Sequence, residues 1–253
     1  MQKALIAVFY REYQMRTTNL VWLFFDLFLP LMYLLVFGLG FTRALSAPLE
    51  VNGRAVDYNE FFLGGVLAMA SFGVAMNTTW SWYQDRESGI FYETLTYPMT
   101  RRQHLLGKAL FNVLLGVVEG ILVIAGAALI LDMPLLWPRL PVLLLAMAVG
   151  TAGWFFSFSI MALRIRRNDM FQTVINVVYF VLLFASSMFY PLEPLPGWLR
   201  AAAAANPITW QVDVFRYATL DLAEGNLLLQ SAAFVVFTIV SFFGAAYVLR
   251  HQE

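Results

Sequence analysis

Hydrophobic positions along the chain fall into six long runs separated by short polar segments, at approximately Asn19–Phe41, Phe61–Trp82, Leu105–Leu131, Pro138–Leu163, Met170–Tyr190 and Leu227–Leu249. A helix rising about 1.5 Å per residue needs around 20 apolar residues to cross a hydrocarbon core about 30 Å thick. Each run meets that length, so the pattern predicts an all-α integral membrane protein with six transmembrane helices. No stretch is left over for a water-soluble domain, and residues 1–253 read as a single transmembrane domain.

Composition supports this reading. The 253 residues are 60% hydrophobic and 13% charged, with a mean hydropathy of +0.70, against roughly 25% charged in soluble domains. The net charge is zero, so it is the placement of charge that informs, because Lys and Arg collect in cytoplasmic loops. Threading the six spans from an inside N-terminus puts eleven of the sixteen basic residues on the cytoplasmic side, among them Arg11, Arg16, Arg86, Arg101, Lys108 and Arg164. Acids outnumber the remaining five outside. Both termini are therefore expected in the cytoplasm. A secretory signal would need a small-residue cleavage site close behind a short apolar core. Ala44-Leu45-Ser46-Ala47 comes after a full-length span, so the first span is expected to stay uncleaved. With no cysteine, disulfides, thiolate metal sites and cysteine nucleophiles are excluded.

Between the runs, four segments carry organisation. Residues Lys3 to Thr18 place Lys3, Ala7, Arg11, Gln14 and Thr18 on one helical face and Leu5, Ile6, Val8, Phe9 and Tyr13 mostly on the other. This fits an interfacial helix over residues 1–18, or else an ordinary basic flank that anchors topology. The outer loop from Thr42 to Glu60 contains Asn52-Gly53 and suggests a turn or small hairpin. The inner segment 83–104 has Gly89 to break the helix leaving the second span and Pro98 to stop the next element, leaving room for about two turns of helix that show Phe91, Tyr92 and Leu95 beside Glu93. Thr100 and Gln103 have capping-box spacing. Such a segment is shaped to touch a cytoplasmic partner; the alternative is a solvated loop. The outer segment 191–226 is too broken to span and too apolar for open solvent. Its prolines end the fifth span, Asn206-Pro207 marks a helix start, and Asp213 and Arg216 stand three apart, placed to pair.

These two segments, in this order among six spans, resemble the ABC-2 family of ATP-binding-cassette transporter permeases. The inner one resembles that family's Glu-x-Gly-leading loop through Asp85, Arg86, Glu87, Gly89, Leu95, Pro98 and Arg101, running on to Leu105-Leu106-Gly107-Lys108. Glu93 lies four residues after the glycine, where the family often has a carboxylate at three. The outer one resembles the family's re-entrant element through Pro191, Leu195-Pro196, Trp198, Asn206-Pro207, Asp213 and Arg216. The resemblance implies that the inner segment is a coupling helix seated on a separate ATPase subunit, with Arg86, Glu87, Gly89, Phe91, Glu93, Leu95, Pro98 and Arg101 at the contact. It further implies a homodimer above two ATPase copies that hold the ATP and Mg, placed in the plasma membrane, the inner membrane of a bacterium, and exporting a glycoconjugate, lipid or drug; the aromatic residues concentrated in the fourth and fifth spans favour an amphiphilic cargo. Lipid is the surrounding partner, and no nucleic-acid partner or cofactor of the chain's own is expected. The chain is not expected to be an enzyme. Its only Gly-Lys, Gly107-Lys108, has Arg102 and Ala109 where a Walker A loop needs Gly and Ser or Thr.

Two acids, Asp26 and Glu119, lie within spans, where ionisable groups suggest a substrate contact or ion relay. They support an alternative from another class, an ion-coupled secondary transporter or channel. The other reading is a pair of hydrogen-bonded structural groups. Gly116 and Gly120 beside Glu119 suit close helix packing. His104 and His251 stand too isolated for a metal site. Arg164, Arg166 and Arg167 read first as a topology signal facing lipid phosphates and second as a further ATPase contact.

Overall fold

The computed structural model describes every residue except Met1, Asn19, Leu45, Ser46, Asn52, Gln252 and Glu253. The expected start of the first span, the middle of the cleavage-site motif and the first residue of the Asn52-Gly53 turn thus lie outside the described residues. The helices are α1 (Gln2–Thr18), α2 (Leu20–Tyr33), α3 (Leu39–Ala44), α4 (Tyr58–Glu87), α5 (Ile90–Thr94), α6 (Arg101–Ile130), α7 (Leu140–Arg164), α8 (Asn168–Phe184), α9 (Gly197–Ala204), α10 (Pro207–Leu220) and α11 (Leu227–Arg250). A π-helical stretch, Leu34–Gly38, joins α2 to α3, and a 3₁₀ turn, Trp137–Arg139, precedes α7. The only sheet among the described residues is the expected outer hairpin, β1 (Leu49–Val51) antiparallel to β2 (Arg54–Val56).

Among the described residues, five helical stretches are long and apolar enough to cross a membrane: Phe24–Ala44, Tyr58–Glu87, Arg101–Ile130, Trp137–Arg164 and Leu227–Arg250. The expected fifth span in chain order is a shorter apolar helix, α8, because its helical geometry stops at Phe184 and Ala185–Tyr190 form turns instead. Asn206 helps to end it, donating from Nδ2 to the carbonyls of Leu182 (2.7 Å) and Ala185 (2.9 Å).

The bundle is built around α4. Phe61, Phe62, Leu63, Val66, Leu67 and Phe72 are wholly buried along it, and it packs against α6, α7 and α10. Close approach between α6 and α7 comes from Gly116 and Gly120, where a side chain would collide with Thr151 and Met147, as their spacing suggested. The connections segregate to two ends of the bundle. One end carries α1, α5 and the starts of α2, α6 and α8; the other carries the hairpin, α9, α10 and the start of α11.

Candidate functional site

At the α5 end, α4 runs on past its apolar stretch, so that Asp85, Arg86 and Glu87 form its last turn. Gly89 then takes φ +81°, a left-handed conformation that costs other residues energy, and turns the chain into α5. The inner helix is shorter than expected, five residues rather than about two turns, because Leu95–Tyr97 close into turns ahead of Pro98. Phe91, expected on show, is 1% exposed. Its ring packs on Trp82 and on the edge of His104, fastening α5 to α4 and α6. Of the expected contact residues the segment presents Glu87, Glu93 and Pro98 outward, together with Ile90, Tyr92 and Tyr97, with Leu95 half-buried. Arg86 is buried and donates to the carbonyls of Ala162 and, at 2.5 Å, Ile165 at the end of α7. Arg101 donates to Leu249 O at 2.9 Å at the end of α11. The capping box forms as expected: Gln103 N donates to Thr100 Oγ1 (3.2 Å) and Thr100 N to Gln103 Oε1 (2.8 Å).

Immediately beside this segment lies a buried cluster of four charges from three helices. Arg11 of α1 grips Asp85 of α4 with both guanidinium nitrogens (2.8 and 2.6 Å). Lys108 of α6, 0% exposed, reaches Glu12 of α1 (2.7 Å) and Asp85 (3.0 Å). Burial works to lower the Arg11 pKa, but the hydrogen bond and charge of Asp85 outweigh it and hold the guanidinium above its ordinary value. The helices can meet here because residue 107 is glycine; a Cβ there would stand 2.7 Å from Val8 Cβ. Sequence reasoning put Arg11 on the polar face, named Lys108 only as a cytoplasmic base and part of the loop motif, and did not single out Glu12. Their signal was weak: one acid on the apolar side of a basic helix and one lysine at the start of a span. Between α1 and the inner segment opens a mostly apolar cavity of about 550 Å³, lined by Ala4, Ala7, Val8, Ile90, Thr94 and Pro98 among others.

Asp26 and Glu119, far apart in sequence, share one neighbourhood. Asp26 is ion-paired to Arg16 at the end of α1 and accepts from Asn77 Nδ2 of α4 at 2.8 Å. Glu119 is buried, close enough to feel both Asp26 and Arg16 electrostatically, and its Oε2 has no hydrogen-bond partner among the described residues.

At the opposite end, α10 is packed inside the bundle while α9 lies outside it with Trp198 74% exposed. Asn206 caps α10 by accepting from Ile208 N at 3.0 Å, with Pro207 at its first turn. Arg216, 0% exposed, stands 3.6 Å from Asp213, the expected pair. The rest of its environment was not foreseen. Its guanidinium donates to Phe61 O (3.0 Å), Ser187 O (2.7 Å) and Glu224 Oε1 (2.8 Å), and lies on the Phe61 ring. Glu224 in turn accepts from Leu192 N, just after Pro191, at 2.7 Å. Burial pushes the Glu224 carboxyl above its usual range, with Arg216 pulling the other way. No group of acids, histidines or cysteines suited to a metal ion occurs among the described residues.

The profile of the ABC-2 type transporter family matches residues 3–220. The chain belongs to the ABC-2 type transporter family. The ABC-2 match takes in the four-charge cluster, the α5 segment and both outer helices, and leaves out α11. Among curated proteins, the chain is 28% identical over 195 residues to the transport permease ycf38 of Cyanophora paradoxa, covering 74% of this chain and 64% of that protein. It is 26% identical over 189 residues to ycf38 of Porphyra purpurea, with the same coverage. A third ABC-2 relative is the daunorubicin resistance ABC transporter permease protein DrrB1 of Streptomyces coeruleorubidus, 27% identical over 198 residues, covering 72% of this chain and 62% of that protein. The chain thus spans under two thirds of the length of these relatives.

Proposed function

We propose that this chain is the membrane-spanning permease subunit of an ATP-binding-cassette exporter, a non-enzymatic half-transporter that works as a homodimer on two ATPase subunits. The observation that carries the proposal is the α5 segment. A short helix is offset from the bundle by a left-handed glycine, anchored through Phe91, and leaves Glu87, Tyr92, Glu93 and Pro98 exposed beside an apolar cavity. That is a rigid knob with a socket next to it. An ATPase docked there moves α4, α6 and α1 together, because the buried charges tie the three, and the spans tilt as rigid bodies. The α5 end is then cytoplasmic, with both termini, in agreement with the bias of Lys and Arg.

Pairing of two copies is supported by α8. It buries Phe171, Ile175 and Leu183, yet its first half leaves Asn168, Asp169, Thr173 and Asn176 exposed, ahead of an apolar second half. Polar side chains are unfavourable against lipid, so this face turns toward a second copy or a wet route, with α8 as the sixth span at about the lower limit of spanning length. The partly open face of α4 beside it, Asn77, Trp80, Ser81 and Gln84, extends the same surface. DrrB1, named for drug resistance, and the amphiphilic character of this face support an amphiphilic cargo moved outward.

One observation favours an ion-coupled carrier instead: the shared neighbourhood of Asp26 and Glu119, with one Glu119 oxygen unpartnered among the described residues. Purification of the tagged chain in mild detergent beside co-expressed ATPases separates the two readings. An exporter subunit recovers a nucleotide-hydrolysing partner that Glu87→Ala and Gly89→Pro variants lose. A chain that purifies alone, and whose transport is abolished by Asp26→Asn or Glu119→Gln but not by those variants, overturns the exporter reading.

A further inference from the structure

A second cavity at the α5 end, of about 690 Å³, is bounded by the ends of α4, α7 and α11 and by Tyr92 of the inner segment. Its charge is one-sided. Arg86, Arg164 and Arg166 face one acid, Glu87, which lies 3.3 Å from Arg86. The guanidinium groups of Arg164 and Arg166 have no acidic partner among the described residues, whereas the next arginine, Arg167, holds Asp169 at 2.6 Å.

The arrangement is built. Ile165 is in extended conformation, so side chains alternate along 164–167. Arg164 and Arg166 both line the cavity, while Ile165 packs against the core. The linker itself is pinned, Arg86 donating to Ile165 O (2.5 Å) and Tyr83 Oη to Arg166 O (3.1 Å). Across the cavity stand Tyr247 and His251 of α11, one turn apart with ring centroids 4.4 Å apart. Two arginine forks held over an open space suit the oxygens of a phosphate. What points to a lipid as its bearer is α11. Val236, Val240 and Phe243, 57%, 63% and 65% exposed, form an i, i+4, i+7 stripe that continues to Tyr247 on the cavity wall. An apolar stripe for acyl chains thus runs directly into a basic chamber at headgroup depth, where tyrosine is favoured.

We propose that this cavity binds the phosphate of an acidic phospholipid, with Arg164 and Arg166 on the headgroup, the acyl chains along α11, and Tyr92 carrying occupancy to the inner segment. The proposal rests on the membrane placement of α4, α7 and α11 and not on the exporter reading.

Thermal unfolding of the purified full chain in detergent tests it, with added phosphatidylglycerol, phosphatidylcholine, or inorganic phosphate. Phosphatidylglycerol is expected to give a saturable upward shift that phosphatidylcholine does not. Arg164→Gln/Arg166→Gln should weaken its apparent affinity about thirtyfold, from two cations each worth roughly a factor of five at a membrane surface. Arg164→Lys/Arg166→Lys, which keeps the charge without the forks, should retain only part of the affinity, and Arg167→Gln, outside the cavity, all of it. Equal shifts in wild type and the double Gln variant would overturn the site. A shift with inorganic phosphate alone, lost in that variant, would assign the arginines to a water-soluble phosphate and overturn the lipid assignment. Loss of a co-purifying ATPase with lipid response intact would make this an ATPase contact and likewise overturn it. Should the double Gln variant not fold, the single variants Arg164→Gln and Arg166→Gln decide: a wild-type lipid response in both sinks the proposal.

Discussion

The two ends of the bundle each bury a charge cluster, and the two are built differently. Around Arg216 the partners are two acids, Asp213 and Glu224, and two backbone carbonyls, Phe61 O and Ser187 O. Around Lys108 every partner is a side chain, and the four charges come from three helices. A guanidinium locked onto main-chain oxygens holds its helices in one place. Side chains that meet only one another can shift together. The cluster at the α10 end is thus a clamp and the one at the α5 end a joint, which is the distribution that the proposed docking of an ATPase at the α5 end requires.

The sharpest way to break this comparison is to remove each cation. Arg216→Met leaves two acids buried with no compensating charge and is expected to cost about 3–5 kcal/mol, read by denaturant unfolding in detergent. Arg216→Lys should recover little of it, since one ammonium cannot reach Phe61 O, Ser187 O and Glu224 together. Lys108→Met should cost less, about 2–3 kcal/mol, because Arg11 still neutralises Asp85; adding Glu12→Gln should restore part of the loss. Equal costs for the two single variants would erase the distinction between clamp and joint. Smaller again is Gly89→Ala, expected to cost about 1 kcal/mol from its left-handed backbone, with nothing within 4 Å for the new methyl to strike. Least in stability is Glu87→Gln, exposed on the inner segment, which should leave unfolding unchanged while lowering recovery of the ATPase.

Legibility in the sequence divides along the same line. Local signals were readable: the capping box at Thr100, the Asn206-Pro207 helix start, the break at Gly89 and the Asp213–Arg216 pair all depend on residues within a turn or two of each other. The membrane class was readable because a bilayer imposes length and apolarity on each helix separately, and five of the six apolar runs overlap helices long and apolar enough to cross it. The inner cluster was not, since Glu12, Asp85 and Lys108 are brought together only by how three helices pack, which no spacing encodes. Glu224 escaped for a related reason, lying beyond the end of α10 and returning to Arg216 through the chain reversal at Asp221, whose φ is +60°. The burial of Phe91 was hidden too, because it reads as an exposed docking residue until Trp82 and His104 are seen to cover it.

α4 connects the two ends. It is one helix of 30 residues without a proline, about 45 Å long, touching the clamp through Phe61 O and the joint through Asp85. For genetics this means that the ends of α4 are neighbours in effect though not in space. Selection for restored transport in a strain carrying a defect at Glu87 or Gly89 should return second-site changes around Phe61, Ser187 and Arg216, at the far end of the bundle, more often than around Trp198 or the hairpin.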